Sequence, residues 1–183
     1  SGKTKAVFRD LLVGDVWLCS GQSNMYFRLK EAKGGKEAAE VATPPAIRIL
    51  KVEPRWSRAP ILTLDRKWEA VTPQNAPMLG AVSVFLARDL HARQGIPIGI
   101  IDSSKSGAKI EGFTDPAAFH SISGLADTTN WADREIVRMA MLPPGERGGD
   151  LSRQPALIFN AMIHPLGPLT IKGVVWYQGE GNH

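Results

Sequence analysis

Two polar clusters, each directly behind an apolar run, hold the residues whose types and spacing could do chemistry. The first is Gly21-Gln22-Ser23-Asn24-Met25, which follows Val16-Trp17-Leu18-Cys19. An apolar run that stops at Ser20-Gly21 and gives way to a polar, helix-compatible tail reads as a buried strand turning sharply into a helix N-terminus. Such a corner projects a short hydroxyl side chain from the carboxyl end of a sheet. The unpaired amide hydrogens of the first turn and the positive end of the helix dipole favour negative charge there. Ser23 is thus a candidate nucleophile, with its own backbone N–H as a candidate oxyanion donor. The local sequence is equally that of a plain turn in which Ser23 caps the helix. The second cluster, Gln178-Gly179-Glu180-Gly181-Asn182, repeats the design behind Gly173-Val174-Val175-Trp176-Tyr177.

These stretches carry a resemblance. Gly21-Gln22-Ser23-Asn24-Met25 is similar to the first block of the SGNH hydrolases, in their sialate O-acetylesterase-like branch. Trp176-Tyr177-Gln178-Gly179-Glu180-Gly181-Asn182 resembles the third block of that branch, with Gly181 where a serine is usual. Between them, residues 97–111 resemble the second-block region, with Lys105-Ser106-Gly107 where Trp-Gly-Gly is frequent, and Asn160-Ala161-Met162-Ile163-His164-Pro165-Leu166 is also in keeping with the family. The resemblance implies a three-layer α/β/α, flavodoxin-like fold with a mainly parallel sheet. It further implies hydrolysis of acetyl esters on a carbohydrate, 9-O-acetylated sialic acid or an alternative such as acetylxylan, through an acyl-enzyme on Ser23. The oxyanion donors it assigns are the N–H of Ser23, the N–H of Gly107 and the side-chain amide of Asn182. Gln22, Gln178 and Glu180 are its candidate substrate-binding or orienting residues. A glycine at 107 suits that role, because a missing Cβ lets substrate approach the backbone.

A serine nucleophile needs a base, usually a histidine oriented by a carboxylate. In the family both come from a late Asp-x-x-His motif, and no Asp-x-x-His occurs in this sequence. His91 falls on the polar edge of an expected helix, His120 in a loop, His164 behind a buried helix and His183 at the last position. The expectation is therefore an SGNH-type domain spanning 1–183, with residues 1–10 as the tail of an earlier segment and the C-terminal part of the fold lacking. A non-catalytic carbohydrate-binding domain stays open as a reading, as does completion by a second chain or a homo-oligomer. No metal or cofactor is implied, since the serine route needs none.

Composition is consistent with one domain. The chain has 183 residues, 43% of them hydrophobic, and a domain of that size buries about 70% of its unfolded surface. Its single cysteine, Cys19, excludes an intramolecular disulfide framework and reads as a small buried hydrophobe. The formal charge of +4 is carried by dispersed basic residues with no arginine-rich tract or aromatic interleaving, which argues against a nucleic-acid footprint. No apolar run approaches a membrane span and the start does not resemble a signal peptide. The resemblance nevertheless implies an extracytoplasmic protein, whether secreted, periplasmic or lysosomal.

The elements that must position these groups follow from periodicity. Residues 47–52 partly alternate, as a half-covered strand does, and a further short strand is expected around Trp68. Met78, Ala81, Val82, Phe85, Leu86 and Leu90 fall at helical spacing and predict a helix ending at Gly95, with a compact strand over 96–101 after it. Residues 28–40 suggest a loop or poor helix. A helix capped by Asn130 is expected to bury Ile136, Val137, Ala140 and Met141, and residues 143–154 read as a loop. Pro155 suits the first position of a buried helix through Ile163, broken at Pro165. Residues 171–177 close the series as a strand.

Overall fold

The computed structural model describes residues 7–41, 46–122 and 153–182, together with 134, 137, 138 and 141. Five strands, β1 (Asp15–Gly21), β2 (Ile47–Lys51), β3 (Glu69–Ala70), β4 (Ile98–Ser104) and β5 (Gly173–Tyr177), form one sheet in the order β3-β2-β4-β1-β5. All neighbours are parallel except the short β2–β3 pair. The α/β class is as the sequence predicts. In strand order the chain has its own arrangement, since β4 stands between β1 and β2, which are neighbours in flavodoxin itself.

Successive strand residues face opposite sides of the sheet, and two cores result. On one face Cys19, Ile47, Ile49, Ile98 and Ile100 pack with helix α3 (Ala81–Gln94) and with Met25 of the short helix α1 (Ser23–Tyr26). On the other, Leu50 and Ile101 pack with Phe113 of helix α4 (Ile110–Phe113) and with Ile158, Ala161 and Met162. Fully burying an Ile or Leu side chain contributes about 1.5–3 kcal/mol, so the two cores clamp β4 and the end of β1 from both sides. Those segments are the ones that aim the polar turns.

Several expectations change. Helix α3 stops at Gly95 as predicted, with Ala81 buried and Val82, Leu86 and Leu90 packed half-buried against the core as expected, but Ser83, Val84 and Ala87 are its other buried residues, while Met78 and Phe85 are exposed. Small side chains let the helix sit close to the sheet, and the larger Phe85 is left outside. The apolar residues near the start, Phe8, Leu11 and Val13 among them, are exposed and belong to no element. The strand near Trp68 is only the two-residue β3, and residues 28–40 form a 3-10 turn (Leu29–Glu31) and helix α2 (Gly35–Glu40).

Pro155 is not the first residue of a helix. Ala156 adopts a positive φ of 62°, so helical structure starts at 157, widens to a π-turn over Phe159–Ile163 and runs on through Pro165 as a 3-10 turn. Helix α5 (Pro116–Ser121) was not foreseen; Asp115 caps it by accepting from the Ala117 N–H. Asn130, Ile136, Ala140, most of 143–154 and His183 lie outside the described residues, as does the His120 side chain; Val137 and Met141 are helical and exposed.

Candidate active site

Register decides what meets at the carboxyl end of the sheet. Gly21 is level with Ser104 of β4 on one side and with Tyr177 of β5 on the other. The turns that follow, 22–23, 105–107 and 178–182, therefore leave the sheet side by side. Gly21 is required there: its φ is +142°, and an added Cβ would lie 2.1 Å from the Tyr177 carbonyl oxygen. The Gln22 N–H donates to that same carbonyl (2.9 Å), and the Lys105 N–H donates to the Gly21 carbonyl (3.0 Å).

Ser23 is exposed at the start of α1, whereas Gln22 is buried, with 3% exposure. The Gln22 Oε1 accepts from the Gly181 N–H (2.8 Å) and from Gln178 Nε2 (3.3 Å), and its Nε2 donates to Ser23 Oγ (3.4 Å). A backbone N–H can only donate, so Oε1 must face Gly181 and Nε2 must face Ser23. The first and second clusters are thus joined through one buried amide. Gly181 makes this join possible, because a Cβ there would fall 2.6 Å from the Ala108 carbonyl oxygen and 3.0 Å from Gln22 Oε1.

Gln178 Nε2 also donates to Asn182 Oδ1 and, more weakly, to the Ala108 carbonyl (3.4 Å). Asn182 Oδ1 accepts from the Ile110 N–H (3.0 Å), and its Nδ2 donates to Glu111 Oε2 (2.8 Å). Exposed Glu180 accepts from Asn24 Nδ2. Gly107 stands in the intervening turn with φ +75°, and nothing lies within 4 Å of where its Cβ would be. The structure therefore gathers Gln22, Ser23, Gln178 and Asn182 into one hydrogen-bonded frame, with the Glu180–Asn24 pair and the open Gly107 turn beside it.

Glu111, Asn24 and the Ala108 carbonyl were not singled out in the sequence. Glu111, the last residue of the second-block region, had a faint signal as an acidic residue in the first turn of a short helix. Such a signal marks a helix start and not a partner 71 residues away.

The described imidazoles are engaged elsewhere. His91 Nδ1 bonds the Ile96 carbonyl (2.7 Å), and His164 Nδ1 the Ile61 carbonyl (3.1 Å). Beneath the turns, desolvation by burial raises the Asp102 carboxyl above its ordinary 3.8, against the opposing effect of the Ser104 hydroxyl, which donates to it (2.9 Å). Burial likewise pushes the Cys19 thiol up to about 11, opposed by the neighbouring Ser83 hydroxyl, so Cys19 is a packed, unreactive thiol. Among the described residues no group of three or more His, Cys, Asp or Glu is placed to hold a metal ion. A cavity of about 380 Å³ lined by Ile110, Phe113, Val174 and Trp176 adjoins the frame. A larger one of about 500 Å³, beside Gly14, Pro97 and Ile98, lies at the opposite end of the strands.

Residues 13–139 match the family described as carbohydrate esterase, sialic acid-specific acetylesterase. The chain belongs to this family. The sialate O-acetylesterase of Pongo abelii is 32% identical over 182 residues, covering 94% of this chain and 32% of that protein. The sialate O-acetylesterase of Rattus norvegicus is 32% identical over 201 residues, covering 94% of this chain and 36% of that protein. A crystal structure of a carbohydrate acetylesterase from Xanthomonas citri aligns with a TM-score of 0.74 and 37% identity, over 92% of this chain and 33% of that one. The chain thus spans about a third of the length of the relatives it matches. No helix among the described residues of this family member is long and apolar enough to cross a membrane.

Proposed function

We propose that this chain supplies the nucleophile and the oxyanion donors for hydrolysis of O-acetyl esters on a carbohydrate, with 9-O-acetylated sialic acid as the substrate and acetylxylan or another acetylated sugar as the alternative. The observation that carries the reading is the buried Gln22 amide, which bonds at once to Ser23 Oγ and to the Gly181 N–H of the second cluster. Because Gln22 donates to the serine oxygen, the hydroxyl keeps its own proton to give away. In the reaction Ser23 Oγ forms a bond to the acetyl carbonyl carbon and its proton passes to a base. The carbonyl oxygen becomes an oxyanion held by N–H donors of Ser23, Gly107 and Asn182. Collapse breaks the bond to the sugar oxygen, which takes the proton back from the base, and water then attacks the acyl-enzyme to release acetate and restore the Ser23 hydroxyl. Gln22 and Gln178 hold the frame, and Glu180, exposed beside Asn24, is the member best placed to meet a sugar.

Neither described imidazole is at Ser23: His91 bonds the Ile96 carbonyl and His164 the Ile61 carbonyl, and the side-chain partner of Ser23 Oγ is Gln22. That observation supports a second reading, in which the same turns bind an acetylated carbohydrate without cleaving it. Without a base, only the residual catalysis of donors and binding remains, about 10³–10⁴ over water.

The deciding experiment is acetate release from an aryl acetate and an acetylated sugar by the purified chain beside Ser23→Ala, with peptide mass mapping of the quenched reaction. Slow, Ser23-dependent release with acetyl on the Ser23 peptide is expected. Equal rates for the folded Ser23→Ala variant would overturn the esterase reading. Sugar binding retained under those conditions would establish the second one.

A further inference from the structure

We infer that Glu111 is a positioning residue that fixes which end of the Asn182 side-chain amide is presented at the strand ends; the inference rests on the reading of Asn182 as an oxyanion donor. An asparagine amide is useful to an oxyanion only when its NH₂ is offered. The reverse orientation would set a carbonyl dipole against the developing negative charge.

Two partners that cannot exchange roles fix the sense of Asn182. The Ile110 N–H, at the first position of α4, can only donate and is 3.0 Å from Oδ1. The Glu111 carboxylate, one residue on, is acceptor-only when ionised and takes a hydrogen from Nδ2 at 2.8 Å. Gln178 Nε2 adds a further donor to Oδ1. Flipping the amide would face Oδ1 with a carboxylate and Nδ2 with two donors, so a single orientation survives. One Nδ2 hydrogen is then held by Glu111 and the other is offered to a ligand.

Glu111 is itself anchored. Its carbonyl accepts from the Ala156 N–H (2.9 Å) and the Thr114 N–H (3.3 Å), which ties α4 to the segment preceding residue 157. Asn182 sits at the end of a loop whose strand, β5, is largely exposed. Its aim therefore comes from α4 across the turn, and not from packing of its own strand.

The test uses the whole ¹⁵N-labelled chain, with the Asn182 side-chain NH₂ pair assigned by its loss in Asn182→Asp. In the unmutated chain one hydrogen of the pair should be shifted downfield by the charge-assisted bond and exchange slowly with solvent. Glu111→Ala should bring both towards free-amide positions. Glu111→Gln, whose carbonyl still accepts but carries no charge, should give an intermediate shift, and it replaces the alanine variant if that one does not fold. An unchanged pair in either folded variant overturns the inference, whatever the esterase assay shows. Where Ser23-dependent hydrolysis is measured, Glu111→Ala should lower kcat on the order of ten- to 100-fold at nearly constant KM, with partial rescue by Glu111→Gln. It should add nothing in the Asn182→Ala background. A further loss in that background would show that Glu111 acts elsewhere and would also overturn the inference. Failure of the esterase reading is separately visible, as equal rates with and without the Ser23 hydroxyl.

Discussion

Strands β1 and β5 lie side by side, parallel and level at their ends, and each runs into a polar turn of the site. Their surroundings differ sharply. Cys19 in β1 is wholly buried, whereas in β5 Val174 is 53% and Trp176 40% exposed. β1 has a strand on each side; among the described residues β5 pairs with β1 alone. The comparison shows two ways of holding a functional turn in place. The turn after β1 is set by a strand clamped between two cores. The turn after β5 is set by polar cross-links, from Gly181 to Gln22 and from Asn182 to Ile110 and Glu111.

The largest expected effect comes from breaking the join between the two strands. Gly21→Ala would place a Cβ 2.1 Å from the Tyr177 carbonyl oxygen at a φ of +142°, combining backbone strain with overpacking. A loss of about 4 kcal/mol or more in urea unfolding follows, and a variant as stable as the parent would show that β5 is not held this way in solution.

Next comes the polar turn itself. Asn182→Ala removes one of the proposed oxyanion donors, and turnover should then fall roughly 100- to 1000-fold, equivalent to about 3–4 kcal/mol. KM should change little, because the donor is aimed at the transition state. An unaltered kcat in an active enzyme would make Asn182 only a cap on α4. The clamped side is tested by Ile101→Ala in β4, which opens a cavity in a fully buried position and should cost about 3 kcal/mol in the same denaturation.

Asp102, behind the clamped turn, gives the pair a pH signature. Its folded-state pKa is raised above 3.8, so the folded chain binds this proton more tightly than the unfolded chain does. Through this group, stability rises as pH falls from above the raised pKa towards 3.8, and the ionised carboxylate is a cost at higher pH. Relative to Asp102→Asn, the parent should gain stability over that window as the solution is acidified. Parallel stability–pH curves for the two would show that folding leaves the proton affinity of Asp102 unchanged. The smallest effect belongs to the exposed strand: Val174→Ala should change stability by no more than about 0.5 kcal/mol, and a cost like that of Ile101→Ala would mean that β5 is covered in solution.

What the sequence determined by itself is local. Alternation in 47–52, the apolar run before Gly21 and the stop at Gly95 follow from side-chain period and backbone freedom, and these are set by neighbours along the chain. The polar clusters were legible for the same reason, as residues of defined chemistry placed just past strand ends. What only the tertiary structure decided depends on who stands opposite. Among the described residues β1 is central and β5 has one neighbour although their sequences share one design, because burial of a strand is a property of its neighbours in the sheet. The inward face of α3 went to Ser83 and Ala87 and not to Phe85, because close approach to the sheet favours small side chains over large ones. The helix expected from Pro155 starts later, at 157, because Ala156 is held at positive φ, a backbone state that its residue type does not announce. The sense of the Gln22 and Asn182 amides, and the part played by Glu111, depend on donors and acceptors 70 to 160 residues away. Hydrogen-bond complementarity over such separations exists only once the three strand ends are level.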